Sequence, residues 1–317
     1  MVVSIGDLHL RADHPWFRDT AESFLSFFGE WDLNNKDNTL VLLGDLVDKS
    51  KNGGIVIEYL ERLASTSRFK EMIIVAGNHD FKRINEIFQL AYNFLKHKSH
   101  ISIYTQLTRR SIEGVDCLIL PYLTPTSKMP NPSEYYSNLH KTITKPADVV
   151  FGHIQDDKFP GEGVSNLNKL AQSICLGHIH TRFNDKYLGS MCPQNYSENG
   201  QRYTRTYSRK TGTLEVKEVE LPTFLDFKVI EYGDDVAKDN ALNSVYVIHN
   251  CPPDHLLDSK YKGLYIRKKV RAATKKADVA KSSGKKNKKE YFNDFLKQSA
   301  VPLNRSTVKI CREALNI

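Results

Sequence analysis

A chain of 317 residues with 40% hydrophobic content has ample core for one large domain and one or two small ones. No apolar stretch reaches membrane-spanning length, no signal-peptide pattern precedes the first polar cluster, and five cysteines without CxxC pairing exclude a disulfide framework, so reduced thiols in a cytoplasm are expected. The net charge of +8 is confined to one stretch: Arg267 to Lys297 holds 12 lysines and arginines against three acids, a net of +9, which leaves −1 for the rest.

The first 180 residues repeat one pattern five times, an apolar run followed by a polar cluster. VVSI leads into GDLHL with Asp7 and His9, TLVLL into GDLVD with Asp45 and Asp48, and EMIIVA into GNHD with Asn78, His79 and Asp80. DVVF then leads to GHI with His153, and SICL to GHIH with His178 and His180. The runs are continuous and β-branched where an amphipathic helix would show a polar face, so they predict strands buried on both sides, as in α/β sheets. Spacings of 38 residues from Asp7 to Asp45 and 33 from Asp45 to Asn78 suit strand-helix-strand units. Helices are predicted in the gaps, over Pro15 to Phe28 and Gly54 to Leu63, with Trp16 and Trp31 as packing residues beside the first. Each cluster then falls just past the carboxyl end of a strand, where open α/β sheets place their ligands.

Carboxylates, an amide and imidazoles are the ligand types that a hard-to-borderline divalent pair needs. Asp45 is expected to bridge the two cations. Asp7, His9 and His180 would complete one shell, and Asn78, His153 and His178 the other. Such a pair polarises a phosphate and activates water near neutral pH. His79 is left to protonate the departing oxygen, with Asp48 or Asp80 to orient it. Six histidines outside the clusters (His14, His97, His100, His140, His249 and His255) read as surface or core residues. The alternating tyrosines and arginines of Arg202 to Arg209 suit either a half-exposed sheet face or a wall facing nucleic acid.

Past residue 221 three short strands are predicted, Phe224 to Tyr232, Ser244 to His249 and Leu264 to Val270, with Pro252 and Pro253 opening a helix through Leu257. AATKKADVAKSSGKKNKKE has almost no large apolar residues and reads as a tether. Its lysines either attract DNA through backbone charge, a salt-sensitive attraction, or form a solvated face. Lys268, Lys269 and Arg271 are the favoured phosphate contacts. Apolar residues recur at helical spacing in YFNDFLKQSA and again from Val308 to Leu315, giving two short helices that need something to pack on.

In order and spacing the five clusters resemble the calcineurin-like metallophosphoesterases, whose pattern is D-x-H, GD-x-x-D, GNH-D/E, GH and GH-x-H. Protein phosphatases of this fold typically read GD-x-x-DRG and GNHE, whereas this chain reads GDLVDKS and GNHD, which argues against a phosphoprotein substrate. DKYLGSMCPQNYSENG is similar to the YIGSP-type block closing the catalytic domain of SbcD-type nucleases, with Met191 and Cys192 inserted before Pro193. Arg11 also stands where a glycine often follows the first motif. The resemblance implies an α/β metallophosphoesterase β-sandwich flanked by helices (1–221), a small αβ DNA-binding cap (222–273), a Lys-rich linker (274–289) and a helical tail that grips an SMC-like ATPase (290–317). It further implies a DNA exonuclease or endonuclease acting on double-stranded ends and single strands in the 3′ to 5′ direction. Manganese, with magnesium as the alternative, would be the cofactor. DNA, the ATPase and a second copy of the chain would be the partners, with no membrane involved. The short length suggests a bacteriophage version. Two other readings stay open, a phosphodiesterase or phosphatase of small nucleotides and a non-catalytic scaffold of the same fold.

Overall fold

The computed structural model describes residues 1–48, 53–81, 95–127, 129–159, 163–231, 244–251 and 265–270. All belong to one compact unit, Met1–Val270. The Pro252 to Leu257 helix, Arg271, the tether and both tail helices lie outside the described residues.

Strands β1 (Val2–Ile5), β2 (Thr39–Leu42), β3 (Glu71–Val75) and β4 (Ile101–Tyr104) pair in parallel in that order. The hairpin of β9 (Arg202–Lys210) and β10 (Thr213–Leu221) joins antiparallel through β9 onto β1, giving a six-stranded sheet. A second sheet runs β5-β6-β7-β8, from β5 (Thr108–Ile112), β6 (Val115–Leu120), β7 (Ala147–His153) and β8 (Ala171–Gly177); only the β5-β6 pair is antiparallel. Crossover helices α1 (Pro15–Glu30) and α2 (Gly53–Thr66) fill the two long gaps near their predicted positions. A single turn, α3 (Asn78–Phe81), follows β3, and α4 (Pro132–Asn138) lies between β6 and β7.

Alternate residues of each strand point to opposite faces, and here both faces are covered. Val41, Leu43, Ile73 and Val75 of the first sheet meet Cys117, Ile119, Val149 and Phe151 of the second in the inter-sheet core. Leu40, Leu42, Met72 and Ile74 face the other way onto Phe24, Phe28, Leu60 and Leu63 of the helices. Leu118, Leu120, Val150 and Leu176 bury the outer face of the second sheet with Tyr136 and Leu139. The result is the expected mixed α/β sandwich with helical layers. Trp31 is buried against Phe28 and Phe69, and Trp16 packs on Phe17, both in packing roles.

A separate three-stranded parallel sheet contains β11 (Asp226–Glu231), β12 (Ser244–Cys251) and β13 (Tyr265–Val270), close to the predicted strands. It meets the amino end of α1 through Leu225, Phe227, Val245 and Val247 packed on Phe17 and Trp16. The Asn199 side chain clamps it further, donating to the Phe227 carbonyl and accepting from the Phe227 amide. Lys268 and Lys269 lie on β13, opposite Ile248 and His249 of β12. In β9 the open alternative resolves toward a sheet residue role. Arg202, Arg205 and Tyr207 are buried, and Arg205 spends its guanidinium on the carbonyls of Ile174 and Asp185 and on Glu218, whereas Tyr203 is half-buried and Arg209 exposed, so the strand presents a half-exposed sheet face. Among the described residues no helix is long and apolar enough to cross a membrane. Cys117, Cys175 and Cys192 are free and buried.

Candidate metal centre

The five clusters converge at one rim of the sandwich because they leave the carboxyl ends of β1, β2 and β3 in one sheet and of β7 and β8 in the other. Backbone bonds knit the loops together. The His9 amide donates to the Asp45 carbonyl (2.8 Å), and the Met191 amide to the Asp7 carbonyl (2.7 Å). The Ser190 amide donates to the His180 carbonyl (2.8 Å), so the LGSMCP block folds back beneath the first and last loops. His9, Asp45 and His178 adopt left-handed φ values of 46°, 42° and 85°. A non-glycine residue so placed costs about 1–3 kcal/mol and persists where its surroundings over-determine it. Two motif glycines are required by close approach. A Cβ on Gly44, itself at φ 100°, would lie 2.3 Å from His153 Nδ1, and one on Gly77 would lie 2.2 Å from Asp45 Oδ1.

Asp7, His9, Asp45 and His180 each present a ligand-type atom within 4.8 Å of the others. His9 Nε2 lies 3.6 Å from Asp45 Oδ2, and His180 Nε2 lies 4.0 Å from Asp7 Oδ2. A second set shares Asp45: its Oδ2 is 3.3 Å from His153 Nε2, and Asn78 Oδ1 is 2.9 Å from both His153 Nε2 and His178 Nδ1. Donors about 2.0–2.2 Å from a common cation stand roughly 3.0–3.5 Å apart, the spacing found in the second set and nearly that of the first. Asp7 Oδ1, both ring nitrogens of His9 and Asp45 Oδ2 are buried and make no hydrogen bond. Buried polar atoms without partners are costly, and lone pairs turned inward together fit a divalent cation. All seven sequence-predicted donors are therefore brought together.

Orientation comes from outside the sets. His153 Nδ1 donates to the Leu43 carbonyl at 2.6 Å, which turns Nε2 toward Asp45 and Asn78. His180 Nδ1 pairs with Glu198 Oε1 at 3.2 Å, turning its Nε2 toward Asp7. Asp45 Oδ1 accepts from the His79 amide at 2.7 Å, leaving Oδ2 to the two donor sets. Asp80 Oδ2 accepts from the amides of Gly77 (2.6 Å) and Asp45 (3.2 Å), bracing both loops. His79 Nδ1 sits 2.9 Å from Asp48 Oδ1, and its Nε2 is 4.0 Å from Asp45 Oδ2. Of the two proposed orienting acids, Asp48 stands beside the imidazole in an ion-pair contact that is not aligned as a hydrogen bond. Arg11 in turn donates to Asp48 Oδ2 (3.1 Å) and Gln194 Oε1 (2.6 Å) and stacks 4.1 Å over Phe17.

Charge is unevenly shared. Burial pushes the Asp7 carboxyl up to about 6. Burial would raise Asp45 too, but His153, His9 and His79 outweigh it and hold it well below its usual range. Burial would lower His153, yet Asp45 and Asp7 hold it up at about 10. Burial pushes His9 down to about 3 and His178 down to about 4, so both present free lone pairs at neutral pH. Burial also opposes protonation of His180, but the Glu198 hydrogen bond leaves it raised.

Glu198 carries no signal in the sequence, because the contact depends on the loop after β8 returning to the site. A carboxylate behind a ligating imidazole fixes its tautomer and is typically worth 10–100-fold in metal affinity. Glu198→Gln is accordingly expected to weaken cation binding by about that factor, measured by calorimetry, with a melting temperature close to wild type. Unchanged affinity would show that His180 needs no such orientation.

A sandwich with this rim of carboxylates, histidines and one asparagine defines a metal-dependent phosphoesterase. The family model described as calcineurin-like phosphoesterase matches residues 1–182, and the chain belongs to that family. Comparison with curated proteins finds no match. Solved structures that the chain matches include a protein of unknown function from Aquifex aeolicus, at 16% identity over 56% of this chain and 90% of that one, TM-score 0.34. Vacuolar protein sorting 29 from Cryptosporidium parvum matches at 13% identity over 69% of this chain and 96% of that one, TM-score 0.30. A double mutant of Vps29 from Entamoeba histolytica matches at 12% over 70% and 99%, TM-score 0.26.

Proposed function

We propose that the chain is a two-cation phosphodiesterase that cleaves DNA, the nuclease subunit of an SbcD-like complex with an SMC-like ATPase. The observation that carries this reading is Asp45 Oδ2, which faces His9 Nε2 at 3.6 Å on one side and His153 Nε2 at 3.3 Å on the other. Asp7, His9, Asp45 and His180 would hold one cation, and Asp45, Asn78, His153 and His178 the other. Divalent cations there, manganese in preference to magnesium, would neutralise phosphate charge and activate water. Arg11 fixes Asp48 from behind. DNA as substrate rests on charge: the +9 stretch from Arg267 to Lys297, with Lys268, Lys269 and Arg271 as phosphate contacts, would attract the backbone without reading sequence. The ATPase partner is assigned to 290–317, where apolar residues recur at helical spacing in the sequence.

The test incubates purified chain and manganese with linear duplex DNA and a chromogenic phosphodiester, with and without the ATPase. Both substrates should turn over, and His79→Ala should lower each rate by about 10²–10⁴-fold. Turnover of the chromogenic ester alone, with the partner present, would remove DNA as substrate. Truncation after residue 289 should abolish co-purification with the ATPase and spare ester hydrolysis.

A further inference from the structure

A cavity of about 320 Å³ opens beside the centre, walled by Tyr122, Pro125, Pro130, Asn131, Gln155 and His178 among others. Its lining leaves the carboxyl ends of β6, β7 and β8, so it sits on the second sheet's side of the rim. Two contacts fix it to the catalytic machinery. His178 lines the cavity and also meets Asn78 Oδ1 through Nδ1 at 2.9 Å. The Tyr122 amide donates to the Ala76 carbonyl at 2.8 Å, immediately before Gly77 and Asn78. The Tyr122 ring lies 29° from the His178 plane with centroids 6.5 Å apart, which gives the cavity one flat aromatic wall continuing into the donor set.

We propose that this cavity receives an unstacked nucleobase of the cleaved strand, the base joined to the nucleotide whose phosphate lies at the cations. The inference rests on the nucleic-acid reading above and deepens it. Proline and tyrosine walls offer flat surface for a ring among polar groups, and Asn131, whose Oδ1 caps α4 by accepting from the Glu134 amide, is the kind of side chain that meets base edges through its amide N–H groups without demanding one sequence. The size suits one small planar ring system and excludes a duplex, so the terminal base pair must open before its phosphate is cut. A flat aromatic contact is worth about 1–3 kcal/mol per base, roughly 5–150-fold in binding. A protein side chain or lipid tail would match the apolar walls, but neither is covalently linked to a phosphate reaching the donors beside His178.

Binding is measured without turnover, using a phosphorothioate-linked dinucleotide carrying 2-aminopurine and reading fluorescence quenching in manganese. Quenching should saturate, and an abasic dinucleotide should compete at least about tenfold more weakly. Tyr122→Ala should raise the Kd about tenfold or more, and Tyr122→Phe should keep it near wild type. Ser133→Phe, plugging the cavity from its rim, should have the same effect as Tyr122→Ala and covers the case in which the latter fails to fold. Equal competition by the abasic ligand, or an unchanged Kd in folded Ser133→Phe, would overturn the proposal. Base-dependent quenching without DNA cleavage would sink the nuclease reading alone, and cleavage without base-dependent quenching would sink the cavity alone.

Discussion

Asp45→Asn is expected to lower phosphodiester hydrolysis by about 10³–10⁴-fold while the sandwich stays folded. The carboxylate faces both donor sets through one oxygen, with Oδ2 3.3 Å from His153 and 3.6 Å from His9. Asparagine can still accept from the His79 amide through its oxygen, but it turns an N–H where the second lone pair stood and removes a charge. Cation stabilisation of a phosphate is worth several kcal/mol, and about 4–5.5 kcal/mol corresponds to 10³–10⁴-fold in rate. Removing half of a buried ion pair commonly costs about 3–5 kcal/mol because the remaining charge is stranded. His153 escapes that penalty, since an imidazole can shed its proton and Asp7 Oδ1 stays 3.6 Å from its Nδ1. The checks are kcat on a chromogenic diester, bound metal by mass spectrometry and a melting curve. A folded variant retaining stoichiometric metal and wild-type kcat would remove Asp45 from its shared position.

The donors were legible because of where they stand. Strands buried on both faces are written as continuous apolar runs such as TLVLL and EMIIVA, and polar residues immediately after them have to lie at a sheet edge. Five such edges in parallel strands leave little freedom in where the side chains converge. What the sequence did not disclose depends on contacts between distant segments. Glu198 reaches His180 only because the chain after β8 turns back over the rim. Arg11 read as a departure from a motif, and its purpose emerges once Asp48 and Gln194 are seen on its guanidinium. Arg202 and Arg205 alternate like surface residues, yet the joining of β9 to β1 puts them inside, where Arg202 donates to the Glu198 carbonyl and Arg205 to the Ile174 carbonyl and the Glu218 carboxylate. Left-handed backbone at His9, Asp45 and His178 has no compositional marker, since none is a glycine. The three-stranded sheet was visible as strands. Its attachment to α1 through Phe17 and Trp16 was not, because those residues read equally well as core of the first sheet.

Affinity for the second cation is expected to rise about tenfold per pH unit from pH 6.5 to 9, while the metal-free fold grows less stable toward alkaline pH. Both follow from His153. Burial would lower it, but Asp45 and Asp7 hold it up at about 10, so in the free chain its imidazole keeps a proton across that range. Ligation through Nε2 requires that proton to leave, and one proton released on binding the second cation gives a tenfold change per unit. Burial also pushes Asp7 up to about 6, so below that pH a proton competes at the first cation's donor set as well. His9 and His178, pushed down to about 3 and 4, have no proton to release. For folding the sign is opposite. An imidazole with an unfolded value of about 6.5 and a folded value of about 10 contributes stability that is fully present below the lower value and lost as pH rises through the upper one. Calorimetric titration with manganese in two buffers of different ionisation enthalpy counts the protons, and melting curves with and without metal report the folding side. The two melting curves should diverge as pH rises, because deprotonation removes the internal cation that His153 supplies and opens its lone pair to an external one. Parallel curves with no proton release at pH 8 would mean that His153 Nε2 is no donor, and the second cation would lose its site.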